Sequence, residues 1–167
     1  MARSEPAPKL TATDPPLDMP GHLLRRCHQI AVAIFLDECQ AYDLTPLQYV
    51  ALQALATHGA LDKAAIGGVA ALDRTTVAVV VRNLEARGFV STRPSEQDRR
   101  ATLIEITAKG RALLSSVRPE VANAQDRTVA PLTLAERAEL MRLLRKIADG
   151  NNLLSRAPRR TPRHLGG

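Results

Sequence analysis

Apolar residues recur at three- and four-residue steps along most of this chain and change once to a two-residue step. Over residues 21–42, Leu23, Leu24, Cys27, Ile30, Ala31, Ile34, Phe35 and Cys39 keep helical spacing. Their stripe is wide enough to pack on the domain and leave a face for a second chain. Thr45 is a good N-cap and Pro46 fits the first helical position, where its missing N–H costs nothing, so a second helix is predicted from there to Thr57. A third spans residues 61–72 and starts near Asp62. Its interior pair Gly67-Gly68 costs about 1 kcal/mol per glycine relative to alanine, a cost that close packing against the next helix would explain. Asp73 caps a fourth helix, which turns Val77, Val80 or Val81 and Leu84 towards a core and Thr75, Thr76, Ala78, Val79, Arg82 and Asn83 the other way.

Gly88 suits the left-handed position just past a helix end. The period then falls to two over residues 89–93 and again over 101–107, which predicts two short strands joined by a charged loop. Thr107 caps a long helix carrying Leu113, Leu114, Val117, Val121, Ala124 and Val129, with a break expected near Arg118 because Pro119 lies inside it. Pro131-Leu132 makes a turn, and Thr133-Leu134-Ala135-Glu136 is a capping box opening a last helix with Leu140, Leu143, Leu144 and Ile147; Leu153-Leu154 adds a further turn. The fold class is mainly α with a small β wing: a helix, a second helix with a thin polar outer face and a basic-tipped hairpin form a winged helix-turn-helix, flanked by N- and C-terminal helices.

Composition sets the limits of this reading. Only 2% of the 167 residues are aromatic, so the core must be built of Leu, Val, Ile and Ala. Pro6, Pro8, Pro15, Pro16 and Pro20 mark residues 1–20 as a flexible arm, and Arg156, Arg159, Arg160 and Arg163, with no acid after them, mark 156–167 as a basic flexible tail. The net charge is +6 and the isoelectric point near 10.0. The tail holds four of those charges and the first twenty residues are net negative by one, so the body, residues 21–155, carries +3. Such a balance points to an anionic partner, with the placement of charge mattering more than its sum. No apolar run approaches the roughly 20 residues that span a bilayer, and the Pro-rich start lacks the core of a signal peptide, so a cytoplasmic location without a membrane partner is expected.

Three pieces carry a family resemblance: Leu72-Asp73-Arg74-Thr75-Thr76-Val77 opening the fourth helix, Leu84-Glu85-Ala86-Arg87-Gly88-Phe89-Val90 at its end, and Asp98-Arg99-Arg100-Ala101 through Leu103, Thr107 and Gly110 across the hairpin. In this order and spacing the chain resembles the MarR family of bacterial transcription regulators, over roughly residues 20–155. The resemblance implies a DNA-binding part at about 44–107 and dimerisation helices at about 21–42 and 108–155. The terminal helices independently carry more apolar surface than so small a core can cover, so a homodimer is expected. A two-fold dimer sets two recognition helices about one turn apart on double-stranded DNA, which matches a near-palindromic operator.

Arg74, Thr75, Thr76, Val79 and Arg82 on the outer face of the recognition helix are the candidate DNA contacts. Arginine can bond guanine, threonine a base edge or phosphate, and small apolar groups a thymine methyl; Arg82 is better placed for a phosphate. A solvated helix face is the plain alternative. In the family an arginine at the hairpin tip enters the minor groove and an aspartate two residues earlier orients it. By position these are Arg100 and Asp98, with Arg99 beside them as a phosphate contact. A polar turn in which Asp98 bonds the loop backbone is the other reading, compatible with the first.

Family members bind small phenolic or aromatic acids between the dimerisation helices and the winged helix. Arg26 and His28 are the candidates here for a carboxylate, Tyr49 for stacking or a hydroxyl, and His58 at a helix end; each also reads as an ordinary surface or interface side chain. The implied function is a sequence-specific repressor released from its operator by a small aromatic or anionic metabolite. Two alternatives stand beside it: a redox-sensing regulator acting through Cys27, like peroxide-responsive relatives, although the accompanying tyrosines are missing, and a non-specific nucleic-acid binder using the tail. His22, His28, His58, His164, Cys27 and Cys39 form no nucleophile-and-base set and no metal spacing, so neither catalysis nor a cofactor is expected.

Overall fold

The computed structural model describes residues 19–95 and 101–160. Seven helices are seen there: α1 (Pro20–Glu38), α2 (Pro46–His58), α3 (Lys63–Ala70), α4 (Arg74–Ala86), α5 (Ala108–Ser116), α6 (Arg118–Thr128) and α7 (Leu134–Gly150). Strands β1 (Val90–Pro94) and β2 (Thr102–Ile106) lie between α4 and α5 and pair antiparallel, with Val90 opposite Ile106 and Pro94 opposite Thr102. Short 3-10 turns follow α1 and α7, at Gln40–Tyr42 and Asn152–Leu154. The first predicted helix therefore ends earlier than Tyr42, its last turn tightening to 3-10 geometry.

Local chemistry sets the boundaries. Thr45 and Gln48 form a reciprocal capping box on α2, Thr133 and Glu136 another on α7, and Asp62, Asp73 and Thr107 each accept from the first turn of the helix they precede. These bonds satisfy N–H groups that the helix itself leaves unpaired. The long helix expected after Thr107 breaks into α5 and α6 at Val117, two residues before Pro119, whose ring cannot follow an uninterrupted helix.

The core gathers on α2, whose Ala51, Leu52 and Leu55 are buried against α3, α4, α5 and β2. Val77, Val80, Val81 and Leu84 enter it from α4, Ile104 and Ile106 from the hairpin, and Ile66 from α3. Leu61 exchanges both backbone hydrogen bonds with Ile104, at 3.1 and 2.8 Å, so the hairpin is pinned to the segment entering α3. Gly110 seals the other side. A Cβ there would lie 2.2 Å from the Phe89 carbonyl oxygen and 2.8 Å from Ile106, so only glycine lets α5 approach so closely.

A second set of contacts joins this unit to α1 and α6, which pack along each other. The Tyr42 hydroxyl donates to the Ser116 carbonyl at 2.9 Å and to Glu120 at 3.2 Å. Arg87, at the end of α4, donates to the carbonyls of Tyr42 (2.9 Å) and Asp43, and Asp43 sits in the left-handed region at φ 47°. Arg127 of α6 clasps Asp37 and Glu38 of α1. By contrast α7 buries none of its residues. Met141, Leu143, Leu144 and Ile147 stay exposed along it, as do Leu23, Leu24 and Ile30 on α1.

Candidate nucleic-acid interface

The chain direction turns by 108° between α3 and α4. Three residues make that turn: Ala71 takes a left-handed conformation at φ 52°, Leu72 donates its N–H to the Gly67 carbonyl at 2.9 Å, and Asp73 caps α4. Gly67 allows it, because a Cβ there would stand 2.8 Å from the Leu72 carbonyl oxygen and 3.4 Å from Val77. Half of the expectation for the glycine pair thus holds: Gly67 is packed against the turn into the recognition helix. Gly68 instead faces Arg160, whose Cβ would lie 3.2 Å from an added methyl.

The outer face of α4 carries Arg74, Thr75, Ala78, Val79 and Arg82, all exposed, while Thr76 is half-buried. Asp73 accepts from the N–H groups of Thr75 and Thr76, both at 3.0 Å, and from the Thr76 hydroxyl at 2.7 Å. These bonds, that to the Thr76 N–H foremost, hold the Asp73 carboxyl below the usual carboxylate range. They also give the two threonines different chemistry. Thr76 spends its one hydroxyl proton on Asp73 and offers only lone pairs outward, whereas Thr75 projects from the helix start with its hydroxyl exposed.

The hairpin is held to α4 from several sides. Thr92 donates to Glu85 at 2.7 Å, the Thr107 hydroxyl to the Gly88 carbonyl at 2.8 Å, and Lys109 to the Arg87 carbonyl at 2.8 Å. Gly88 is left-handed, at φ 72°, as its place after the helix requires. Across the strands Arg93 pairs with Glu105 at 2.5 Å, and Ser95 donates its N–H to Ala101 at 2.9 Å, closing the base of the tip. Asp98, Arg99 and Arg100, the residues expected at that tip, lie outside the described residues.

The four residues read as effector contacts are not joined to one another by any hydrogen bond or ion pair among the described residues. Arg26 and His28 are exposed on α1, His58 is exposed as the last residue of α2, and half-buried Tyr49 packs its ring 6.0 Å from that of Phe35. Of the cysteines, Cys27 is exposed on α1 and Cys39 is buried, its thiol pushed up by burial and by the nearby Glu120 and Glu38 carboxylates.

Sequence reasoning missed three features. Arg87 clamps the 3-10 turn, Thr76 is tied back to its cap, and residues 156–160, read as the start of a mobile tail, are laid against α3. Arg160 donates its N–H to the Gly68 carbonyl at 2.7 Å, and the Asn152 side chain both accepts from the Arg159 N–H (2.8 Å) and donates to its carbonyl (3.1 Å). No local signal announces the first and the last of these, which join residues that periodicity cannot relate, whereas the Thr76 bond spans only the three residues back to its N-cap Asp73.

A helix-turn-helix joined to a two-stranded wing is thus in place, and the sequence profile of the MarR family matches residues 44–102 across it. The transcriptional repressor NicR of Pseudomonas putida is 34% identical over 151 residues, covering 86% of this chain and 96% of NicR. The chain belongs to the MarR family. Two solved structures extend the likeness. That of Bordetella bronchiseptica BpsR, described for the regulation of its DNA binding by 6-hydroxynicotinic acid, is 36% identical, with a TM-score of 0.76 over 80% of this chain and 95% of BpsR. That of the Streptomyces coelicolor regulator PcaV with its natural ligand is 31% identical, with a TM-score of 0.73 over 84% and 98%. This MarR-family chain is a DNA-binding transcription regulator. Among its described residues no single helix is long and apolar enough to cross a membrane.

Proposed function

We propose that this protein is a homodimeric repressor that binds a near-palindromic operator and is released by a small hydroxylated aromatic carboxylate. The observation that carries the reading is the construction of α4: an outward face of Arg74, Thr75, Thr76, Val79 and Arg82 on a helix fixed at 108° to α3 and braced to a hairpin between whose strands the sequence carries Arg99 and Arg100. Such a helix fits the major groove, where arginine and threonine discriminate base edges. Asp98 orienting Arg100 into the minor groove completes the reading head.

Homodimerisation is supported by the apolar stripes on α1 and α7. Ile147 is 48% exposed and Leu23 42%, on helix faces that the described residues leave uncovered, and exposed stripes of this size usually meet a partner. A second copy presents the same stripes and closes the surface with two-fold symmetry. The effector class rests on likeness to BpsR, and on Arg26, His28, Tyr49 and His58 as the side chains able to meet a carboxylate and a ring. Ligand and DNA then oppose one another reciprocally, each favouring a different spacing of the two recognition helices.

The test is competition. Purified protein is titrated onto the duplex upstream of its own and its neighbouring gene, with a large excess of random DNA present. A sequence-specific dimer retains that duplex, while a tail-driven binder is stripped from it. The redox alternative is tested on the same complex with peroxide, using the wild type and Cys27→Ser. An equal response from the two proteins removes it.

A further inference from the structure

The segment after α7 does not simply trail away from the reading head. It crosses to α3, where Arg160 is bonded through its backbone to Gly68 and Arg159 is gripped at both its N–H and its carbonyl by the Asn152 amide. Gly68 makes room for this. With no Cβ of its own it lets the Arg160 backbone lie directly on the helix, and a methyl there would meet the Arg160 Cβ at 3.2 Å.

The docked segment forms one wall of an open cleft of about 720 Å³. Opposite walls come from Lys63 and Ala64 in the first turn of α3, Arg74 and Ala78 on the outward face of α4, and Ala101 and Thr102 at the root of the wing. The cleft therefore opens on the face that carries the recognition helix. Its charged groups are Arg156, Arg160, Lys63 and Arg74 against Asp62 and Asp73. Both carboxylates are already engaged as helix caps, Asp62 accepting from the Ala65 N–H at 2.6 Å and Asp73 from Thr75 and Thr76. Among the described residues neither Arg156 nor Arg160 takes part in an ion pair. Arg160, held through its backbone, and Arg156 four residues before it, with a net positive rim around them, match the chemistry of a phosphodiester backbone.

We propose that residues 156–160 are a third DNA-contacting element, a strap whose Arg156 and Arg160 take backbone phosphates flanking the groove entered by α4. The proposal rests on the DNA-reading function above and adds to it a contact that positions without specifying. It gives the basic C-terminal stretch a fixed place in the complex.

The experiment measures operator affinity across a salt series for the full-length wild type, for the double variant Arg156→Ser with Arg160→Ser, and for Asn152→Ala, which releases the strap without altering charge. Each phosphate contact contributes about 0.9 to the slope of log affinity against log salt, and a dimer carries both arginines twice, so the double variant should lose between about three and four units of slope. Its affinity near 0.15 M salt should fall about 10- to 50-fold, equally for the operator and for base-substituted operators. Asn152→Ala should show part of the same loss. Unchanged affinity and slope in the double variant would overturn the proposal, as would tighter binding, which would mark the strap as a cover over the cleft. Loss in the double variant with Asn152→Ala unaffected would reduce the strap to undocked tail charge, again overturning it. A wild type that binds no operator at all would overturn the underlying function instead, a result distinguishable from the other three.

Discussion

Gly67 and Gly68 sit side by side in one helix and should respond oppositely to the same added methyl. At Gly67 the new Cβ would stand 2.8 Å from the Leu72 carbonyl oxygen and 3.4 Å from Val77 Cγ2. Ordinary heavy-atom contact is about 3.5 Å, so the turn between α3 and α4 must open by roughly half an ångström or more. Overpacking of this kind costs about 1–3 kcal/mol, while exchanging glycine for alanine inside a helix returns about 1 kcal/mol. Backbone rather than a flexible side-chain end must move, so the upper part of the range applies and Gly67→Ala should be about 1–2 kcal/mol less stable. For a domain of this size that is a fall in Tm of roughly 2–8 °C. Gly68→Ala meets only the strap, which can shift, so it should melt at or slightly above the wild-type temperature. Thermal denaturation followed by far-ultraviolet circular dichroism decides the matter, and operator titration shows whether the tilted α4 of Gly67→Ala also loses affinity. A Gly67→Ala protein as stable as the wild type would refute the packing argument.

Thr75→Val should change which base is preferred at one operator position. Thr76→Val, which removes a hydroxyl already bonded to Asp73, should instead disturb the start of α4 and weaken all sequences more evenly; selection from a randomised half-site reads both. Arg100→Ala should weaken operator binding strongly and leave the sedimentation behaviour of the dimer unchanged, whereas unaltered affinity would remove it from the minor groove. Asp73 is held below its ordinary value in the folded chain, so its stabilising effect is complete above the unfolded carboxylate value of about 3.9 and is lost as pH falls through the lower, folded one. Asp73→Asn should therefore flatten the acid limb of the stability curve below pH of about 4, with little change near neutrality in the pH-dependent part.

Most of the fold was legible because its boundaries are fixed locally. Asp73, Thr107 and the Thr133 capping box each act within three residues, Gly88 acts at its own φ, and the change from a helical to an alternating period marks the wing. The outward face of α4 was legible for the same reason, since Val77, Val80, Val81 and Leu84 define the inward face by spacing alone. What escaped were contacts between residues far apart in sequence. Arg87 reaches Tyr42 and Asp43, Tyr42 reaches Ser116 and Glu120, and Arg160 reaches Gly68. An arginine in a basic run reads as solvated charge until the fold shows which carbonyl its backbone meets. The four side chains proposed for the effector were named from chemical type and position, which carry no information on whether the fold brings them together.

The central claim of the proposal is that DNA occupancy and a small aromatic carboxylate exclude one another on the proposed dimer. Fluorescence anisotropy of a labelled duplex from the adjacent intergenic region, saturated with protein in excess random DNA and then titrated with 6-hydroxynicotinic acid and related hydroxylated aromatic acids, tests it directly. The account predicts that at least one of these acids releases the duplex, while benzamide-like neutral analogues of equal size do not. A complex that persists through the whole series, with the protein still dimeric and sequence-specific, would contradict it.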